Sequence, residues 1–406
     1  MRLSHLVLVS ITAASAAAIF LAPVAAAAPK CTDRPPAWTD NTNFSAALKF
    51  GDHVIVGTDE CGFLQVGRWS TWQRTGDIQL EPPRGAGDQA KQVEVDVEAL
   101  AYDGQGQFVY AIGSHSKTRK RSDKASEEYA DNRARLQTGS RLVGIESHPE
   151  RERLYRFPFD PQNVAARQES RIEALSLTPI LSRLPVFKAF IPLASKENGI
   201  DIEGIAVGHP LGGPTPADAS DTAWLYVGFR GPVLRHGFVP VLALRPRDLD
   251  PLFSAWTAQD RKAIDEASRH AVDNGQLLFV PLDGRGIRDL TFVGDGFLVL
   301  AGPMGDGDAA HRIYWWNGRD CVPGKGNTGL RGQLRWLADV TAPAAEDGTL
   351  GKAEGLVWRS DRASSDRYEL TVLFDSLPNG APKDISVAKR SAGETPATEL
   401  CRSDRH

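Results

Sequence analysis

The sequence contains two methionines, four cysteines and one long apolar run in 406 residues, and each shortage narrows what the protein can be. Cys31, Cys61, Cys321 and Cys401 form no CxxC pair, which argues against a zinc centre. After Val24 no apolar stretch approaches the roughly 20 residues that span a bilayer as a helix, so no stable membrane anchor is expected once the leader is removed. An excess of one charge sign is also missing. Lys and Arg total 47 against 51 Asp and Glu, for a formal charge of −4. Mixed charge of that size points to no nucleic-acid partner and no membrane surface. The GxSxG, HExxH and P-loop signatures do not occur, which removes the usual sequence marks of serine hydrolases, zinc proteases and nucleotide-binding loops.

What is present begins at the N-terminus. Arg2 precedes an apolar run from Leu6 to Val24, which ends in Ala25-Ala26-Ala27-Ala28. A short positive region, an apolar core and a small-residue cleavage site make a secretory signal peptide over residues 1–28. Ala28-Pro29-Lys30 before Cys31 does not form a lipoprotein cleavage box. The style of the leader is bacterial, and the mature chain is expected in the periplasm or secreted. An even number of cysteines in an oxidising space fits two disulfides, with four buried thiols as the alternative. Three pairings are open and spacing does not choose among them. Cys31–Cys61 with Cys321–Cys401 is favoured here, since it would staple the two chain ends.

With 38 Gly and 26 Pro among many short apolar runs, the chain reads as all-β with frequent turns. One phrase recurs. Its clear copies run from Asp96 to Tyr102, Asp201 to Val207, Gly286 to Phe292 and Lys352 to Trp358, with a fainter copy from Asn43 to Lys49. A more apolar strand follows each, at His53–Gly57, Phe108–Gly113, Trp224–Gly228, Phe297–Ala301 and Glu369–Phe374. Third strands are expected at Phe63–Arg68, Arg153–Phe157, Val241–Arg245 and Arg312–Trp316, and fourth strands at Lys188–Leu193, Leu277–Leu282 and Leu334–Val340. Three or four antiparallel strands, repeated five times, are the mark of β-propeller blades, which must stack and close into a ring to bury their faces. A sixth blade could lie near the ends or in the first insertion. Helices are expected at Lys124–Leu136, with Ser122 as N-cap, at Gln162–Ile180 and at Ala258–Ala271. The organisation is then a leader at 1–28, an N-terminal segment at 29–42, a propeller domain at 43–377 and a polar segment at 378–406. That last segment either closes the ring or trails from it, with a weak strand signal at Ile385–Ala388.

Antiparallel pairing sets the start of each first strand beside the end of the second. Glu98 then meets Ser114 and His115; Glu203 meets Phe229 and Arg230; Arg288 and Asp289 meet Gly302 and Pro303; Glu354 meets Asp375 and Ser376; Ser45 meets Thr58, Asp59 and Glu60. All converge on one mouth of the channel, with Lys117, Arg119, Lys120 and Arg121 on the adjoining loop. Rims of rigid scaffolds commonly carry function. The expected ligand-binding residues are Glu98, Arg230, Arg288 and Asp289, and the expected catalytic ones His115, Glu203, Glu354 and Asp375. The arginines suit a small anionic ligand. Two alternatives stand beside that one. In a metal-assisted phosphoester or ester hydrolase, carboxylates would hold Ca²⁺ or Mg²⁺ and His115 would move the proton. In a scaffold, the same mouth would grip a periplasmic protein. Each residue also has a structural alternative: Arg288 neutralising the glutamates, and acids bonded to amides of the next blade. Gly305-Asp306-Gly307-Asp308 reads as an acidic turn, since the rest of a calcium loop is missing.

Gly113-Ser114-His115-Ser116, Asn198 to Gly204, Gly228-Phe229-Arg230-Gly231-Pro232-Val233, Ile287-Arg288-Asp289-Leu290, Ala301-Gly302-Pro303 and Ala353-Glu354-Gly355-Leu356 together resemble a bacterial family catalogued as a domain of unknown function, number thirty-six sixteen. The resemblance runs from about Phe44 to Ser376 and implies the fold while supplying no reaction. The Glu-Gly-Ile and Glu-Gly-Leu strands are more distantly similar to esterase-like phytase propellers, which implies a phosphoesterase-like ancestry. The dense carboxylate clusters expected of a calcium-loaded phytase are not evident in this chain, which argues against metal-dependent phytase activity.

Overall fold

The computed structural model describes residues 31, 35–85, 92–119, 125–138, 143–162, 172–211, 223–305, 310–323, 332–362, 364–389 and 401. The leader expected at 1–28 lies outside them.

Five antiparallel sheets of three or four strands make up the ring, and a two-stranded sheet stands on an excursion from the second. The first holds β1 (Phe44–Phe50), β2 (His53–Thr58), β3 (Phe63–Arg68) and β4 (Gln73–Gln79) in sequence order. The second starts with β5 (Val97–Asp103) and β6 (Phe108–Gly113). An excursion follows through β7 (Lys117–Arg119), α1 (Ala125–Thr138) and β8 (Ile145–Ser147), and β9 (Leu154–Pro158) and β10 (Glu173–Leu175) complete the sheet. After the single-turn α2 (Thr178–Leu181), the third holds β11 (Asp201–Gly208), β12 (Trp224–Gly231) and β13 (Phe238–Leu244). The pair α3 (Pro246–Ala258) and α4 (Arg261–Asn274) then leads into β14 (Gln276–Pro281). The fourth comprises β15 (Gly286–Phe292), β16 (Phe297–Gly302), β17 (His311–Trp316) and β18 (Leu334–Val340). The fifth comprises β19 (Lys352–Trp358), β20 (Arg367–Asp375) and β21 (Lys383–Ala388).

The innermost strands touch in cyclic order: β1 against β5, β5 against β11, β11 against β15, β15 against β19, and β19 against β1. A lone sheet leaves both faces wet, so the core forms between sheets. Ile55, Val66 and Val97 share one buried cluster across the first and second sheets, and Leu300, Leu356 and Val372 share another across the fourth and fifth. Phe44, Val54 and Val56 cluster with Val357 and Leu373, joining the first sheet to the last. Ser376 N–H also donates to Thr42 O at 2.7 Å across that seam. The described residues therefore make a five-sheet ring and hold no sixth blade. β21 pairs with β20 as the outer strand of the fifth sheet, and the seam between β1 and β19 closes the circle.

Small residues let the sheets approach. A Cβ on Gly228 would sit 2.9 Å from Ile287 Cγ2 of the next sheet. Gly228→Ala should therefore lower stability by about 1–3 kcal/mol through overpacking. Gly76→Ala on β4, where a Cβ meets nothing within 4 Å, should stay within about 0.5 kcal/mol of the parent. Urea unfolding of both variants checks the pair.

Three expected elements differ. Lys188–Leu193 is not a strand; it lies in turns after the 3₁₀ helix Pro185–Phe187. Pro185 and Pro192 disfavour pairing there, and Phe187 is buried against Phe229 with ring centroids 4.7 Å apart. Within Gln162–Ile180, residues 163–171 lie outside the described ones and Glu173–Leu175 is β10. Glu173 is held there by Arg156 at 2.8 Å. The helix expected at Ala258–Ala271 is found as α4, starting three residues later at Arg261, and an unexpected helix α3 precedes it, ending where Gln259 takes a left-handed φ of 55°. Both disulfides form as favoured, Cys31–Cys61 and Cys321–Cys401. They fit an oxidising compartment. Among the described residues no helix is long and apolar enough to cross a membrane.

Candidate functional site

Each innermost strand carries a register shift against its partner, and the shift falls at the equivalent residue every time: between Phe44 and Ala46, Val97 and Ala99, Ile202 and Gly204, Ile287 and Asp289, and Ala353 and Gly355. The extra residues are Ser45, Glu98, Glu203, Arg288 and Glu354. A bulge re-aims the residue it inserts, and here it turns one polar side chain per blade out of the packed interfaces toward the shared mouth.

The contacts show the convergence. Arg288, only 2% exposed, pairs through Nη1 with Glu354 Oε1 at 2.7 Å and Glu203 Oε2 at 3.1 Å, so it bridges the third and fifth sheets. Its Nη2 donates to Pro303 O at 2.7 Å. Arg230 donates from Nε to Asp201 Oδ2 at 2.8 Å, also through Nη2 to the same oxygen, and pairs with Glu203. Ser45 Oγ donates to Val97 O of the neighbouring sheet. Arg151 pairs with Asp96 at 3.1 Å and with Glu94, and Asp96 also accepts from Ser114 Oγ.

Glu98 is different. It is 9% exposed, and its side chain makes no hydrogen bond and no ion pair within 4 Å among the described residues, although Arg151 and Arg230 lie near enough to feel its charge. Its carboxylate lies within 4.8 Å of those of Asp59 and Asp96 on one side and of Asp201 and Glu203 on the other. Burial, then Glu203, Asp96, Asp59 and Asp201, push its carboxyl well above the usual range. Burial and the neighbouring Asp96, Glu354, Asp375 and Asp40 do the same to Asp59, whose Oδ1 is buried without a partner. Burial raises Asp201 to about 7 and Glu354 to about 8, against the opposing pull of Arg230 and Arg288 respectively.

Of the remaining residues named from sequence, Asp375 borders the acidic mouth, where its charge acts on Asp59 and Glu354, while His115 and Asp289 are held by other contacts. His115 is buried, its Nδ1–H donating to Gly113 O at 2.9 Å and its Nε2 accepting Leu177 N–H at 3.0 Å. Burial holds it neutral, with its pKa lowered to about 4. With both nitrogens engaged, it anchors the segment before α2. Asp289 accepts Leu290 N–H and Leu356 N–H, each at 2.7 Å, and so clasps β15 to β19 instead of joining the charged mouth. It borders a cavity of about 300 Å³ at the other end of the channel, lined also by Leu100, Ile205, Leu290 and Trp358. Asp375 caps its own turn, accepting Ser376 N–H at 2.6 Å, with Lys352 at 3.7 Å. Lys117 and Arg119 lie on β7, where Arg119 pairs with Glu197; Lys120, Arg121, Asp306 and Asp308 lie outside the described residues.

Sequence reasoning left Asp96, Asp201 and Arg151 out of the site, and it placed Asp59 at the mouth without giving it a role. Asp96 and Asp201 carried a signal, because each opens the recurring phrase two residues before a channel glutamate. Arg151 carried none; it arrives from the far end of an insertion.

A closed ring of antiparallel blades with charged side chains gathered at one mouth defines a five-bladed β-propeller. The chain belongs to the family described as "Protein of unknown function (DUF3616)", which matches residues 43–385. No curated protein matches the sequence. Among solved structures, it is similar to the β-propeller domain of Cps50 (Swd1) from Myceliophteria thermophila, with 12% identity over 86% of this chain and 96% of that one and a TM-score of 0.31. An exo-β-1,3-galactanase from Phanerochaete chrysosporium shares 9% identity over 87% of this chain and 62% of that one, with a TM-score of 0.36. The extracellular domain of a putative hybrid two-component system from B. thetaiotaomicron shares 8% over 87% and 28%, with a TM-score of 0.31.

Proposed function

We propose that this protein is an exported ligand-binding propeller, acting in the periplasm or outside the cell, whose channel mouth takes a small ligand bearing positive charge. The observation that carries the reading is the charge balance of the mouth. Asp59, Asp96, Glu98, Asp201, Glu203 and Glu354 outnumber Arg151, Arg230 and Arg288, and all three guanidiniums are engaged by these acids. An anionic ligand would have to pull Arg230 or Arg288 away from a buried carboxylate, which is costly. The small anionic ligand expected from sequence therefore enters this reading only as the companion of a bound cation. The hydrolase reading loses the support of His115 as its proton carrier, because the ring is held between Gly113 and Leu177.

The test is thermal melting of the mature protein with putrescine, choline, divalent cations, and divalent cations with inorganic phosphate. A ligand that binds only the folded state raises the melting temperature with concentration. At least one positively charged solute should do so in wild type and lose its effect in Glu98→Gln. Phosphate that stabilises without any cation would restore the anion reading. No shift with any solute would favour a protein-binding scaffold and sink the proposal.

A further inference from the structure

The structure assigns a divalent-cation site to the mouth of the channel, centred on Glu98 with Asp59 and Asp96 as its companions. The inference rests on the reading above and names its ligand. Three observations carry it.

The first is geometry. One carboxylate oxygen from each of Asp59, Asp96 and Glu98 lies within 4.8 Å of the other two. Oxygens bound at 2.3–2.6 Å to a common ion are separated by at most about twice that bond length, so the three can share one Ca²⁺-sized ion without rebuilding the backbone. The donors come from two sheets, Asp59 after β2 and the others at the start of β5. Asp96 N–H donates to Asp59 O at 2.9 Å, so the backbone already holds the pair together.

The second is Glu98 itself. Asp96, Asp201, Glu203 and Glu354 each have a guanidinium partner. Glu98, nine-tenths buried and set between two pairs of carboxylates, has none among the described residues. Asp59 Oδ1 is also buried without a partner. A folded chain keeps a buried, unpaired carboxylate among like charges only at a cost, and a cation removes it. The third is donor chemistry. The cluster is all oxygen, without histidine or cysteine, which suits a hard cation such as Ca²⁺, Mg²⁺ or Mn²⁺ rather than Zn²⁺ or Cu²⁺. Asp201 and Glu203 bound the site on the far side of Glu98, but Arg230 and Arg288 already hold them. The open coordination therefore lies toward Asp59.

Glu98→Gln separates this site from ordinary structural acids. It breaks no hydrogen bond and relieves repulsion, so in EDTA-treated protein it should melt at or above the wild-type temperature. Millimolar CaCl₂, MgCl₂ or MnCl₂, each tested alone, should raise wild-type melting by about 3 °C or more, growing with concentration. The rise should vanish in Glu98→Gln and shrink strongly in Asp59→Asn, and titration calorimetry should give a stoichiometry near one in wild type only. An equal shift in wild type and Glu98→Gln would put the cation elsewhere and overturn the inference. No shift with any metal, beside a shift with putrescine or choline, would overturn it and leave the broader reading standing. No shift with either would remove both. A Glu98→Gln protein that melts well below wild type would mean that the carboxylate is structural, and would also count against the site.

Discussion

Replacing Arg288 with methionine should cost about 3–5 kcal/mol of stability, because it strands the buried Glu354 and takes from the buried Glu203 one of its two guanidinium partners, leaving it only Arg230. Arg288 bridges Glu203 and Glu354 across the channel, and both acids are buried with it. The melting temperature should fall by roughly 6–10 °C, at about 2 °C per kcal/mol for a domain of this size. Arg288→Lys should recover only part of the loss, since a single ammonium cannot reach Glu203, Glu354 and Pro303 O with the fork that the guanidinium presents. Removing the acids as well should recover more: Arg288→Met with Glu203→Gln and Glu354→Gln should melt above Arg288→Met alone. Additive losses would mean that the three groups do not act as one cluster. A single variant that melts within a degree of wild type would show that the bridge contributes nothing to closing the ring.

The second large effect is on pH dependence, through His115. Its folded pKa is lowered from 6.5 to about 4 by burial. Between those values the unfolded chain binds more protons than the folded one, so stability rises with pH there. The contribution is complete above pH 6.5 and is lost as pH falls toward 4, by about 2 kcal/mol between pH 7.5 and pH 5. The geometry explains the cost: a proton on Nε2 would face the Leu177 N–H that it now accepts. Asp201, Asp289 and Glu354 work in the opposite sense. Their raised values give stability that is complete below the usual carboxylate range and lost as pH rises through about 7 to 8. The whole-protein curve mixes the two trends, and a variant separates them. His115→Asn tolerates the left-handed φ of 52° at that position. It should be destabilised by about 1–3 kcal/mol at pH 7.5, from the unsatisfied Leu177 amide and lost packing, and by about 2 kcal/mol less at pH 5. Urea unfolding at both pH values measures the difference. An identical penalty at both would mean that the imidazole titrates freely, and would return it to the list of catalytic groups.

Repetition alone determined the architecture. Five recurrences of one phrase, each followed by an apolar strand, carry the period of a blade, and the requirement that every blade bury both faces forces a ring. The same period named Glu98, Glu203, Arg288 and Glu354 as equivalents, because equivalent places in repeats come to equivalent places in space. The disulfide pairing agreed with the preference for stapled ends, although spacing could not have chosen it. What only the tertiary structure decided are the partners. Asp289 is adjacent to Arg288 in sequence, yet one residue of pleat turns it from the mouth to the backbone amides of Leu290 on its own strand and Leu356 on the next sheet. His115 looked like a catalytic base until the segment at Leu177, 62 residues later, closed over its ring. The linear sequence shows no dense run of acids. Asp59, Asp96, Glu98, Asp201 and Glu203 come from three sheets and become a cluster only when the ring brings the starts of β5 and β11 beside the end of β2. Local pattern sets which way a strand faces, while charge neutralisation depends on distances between blades. Those distances exist only once the circle is closed.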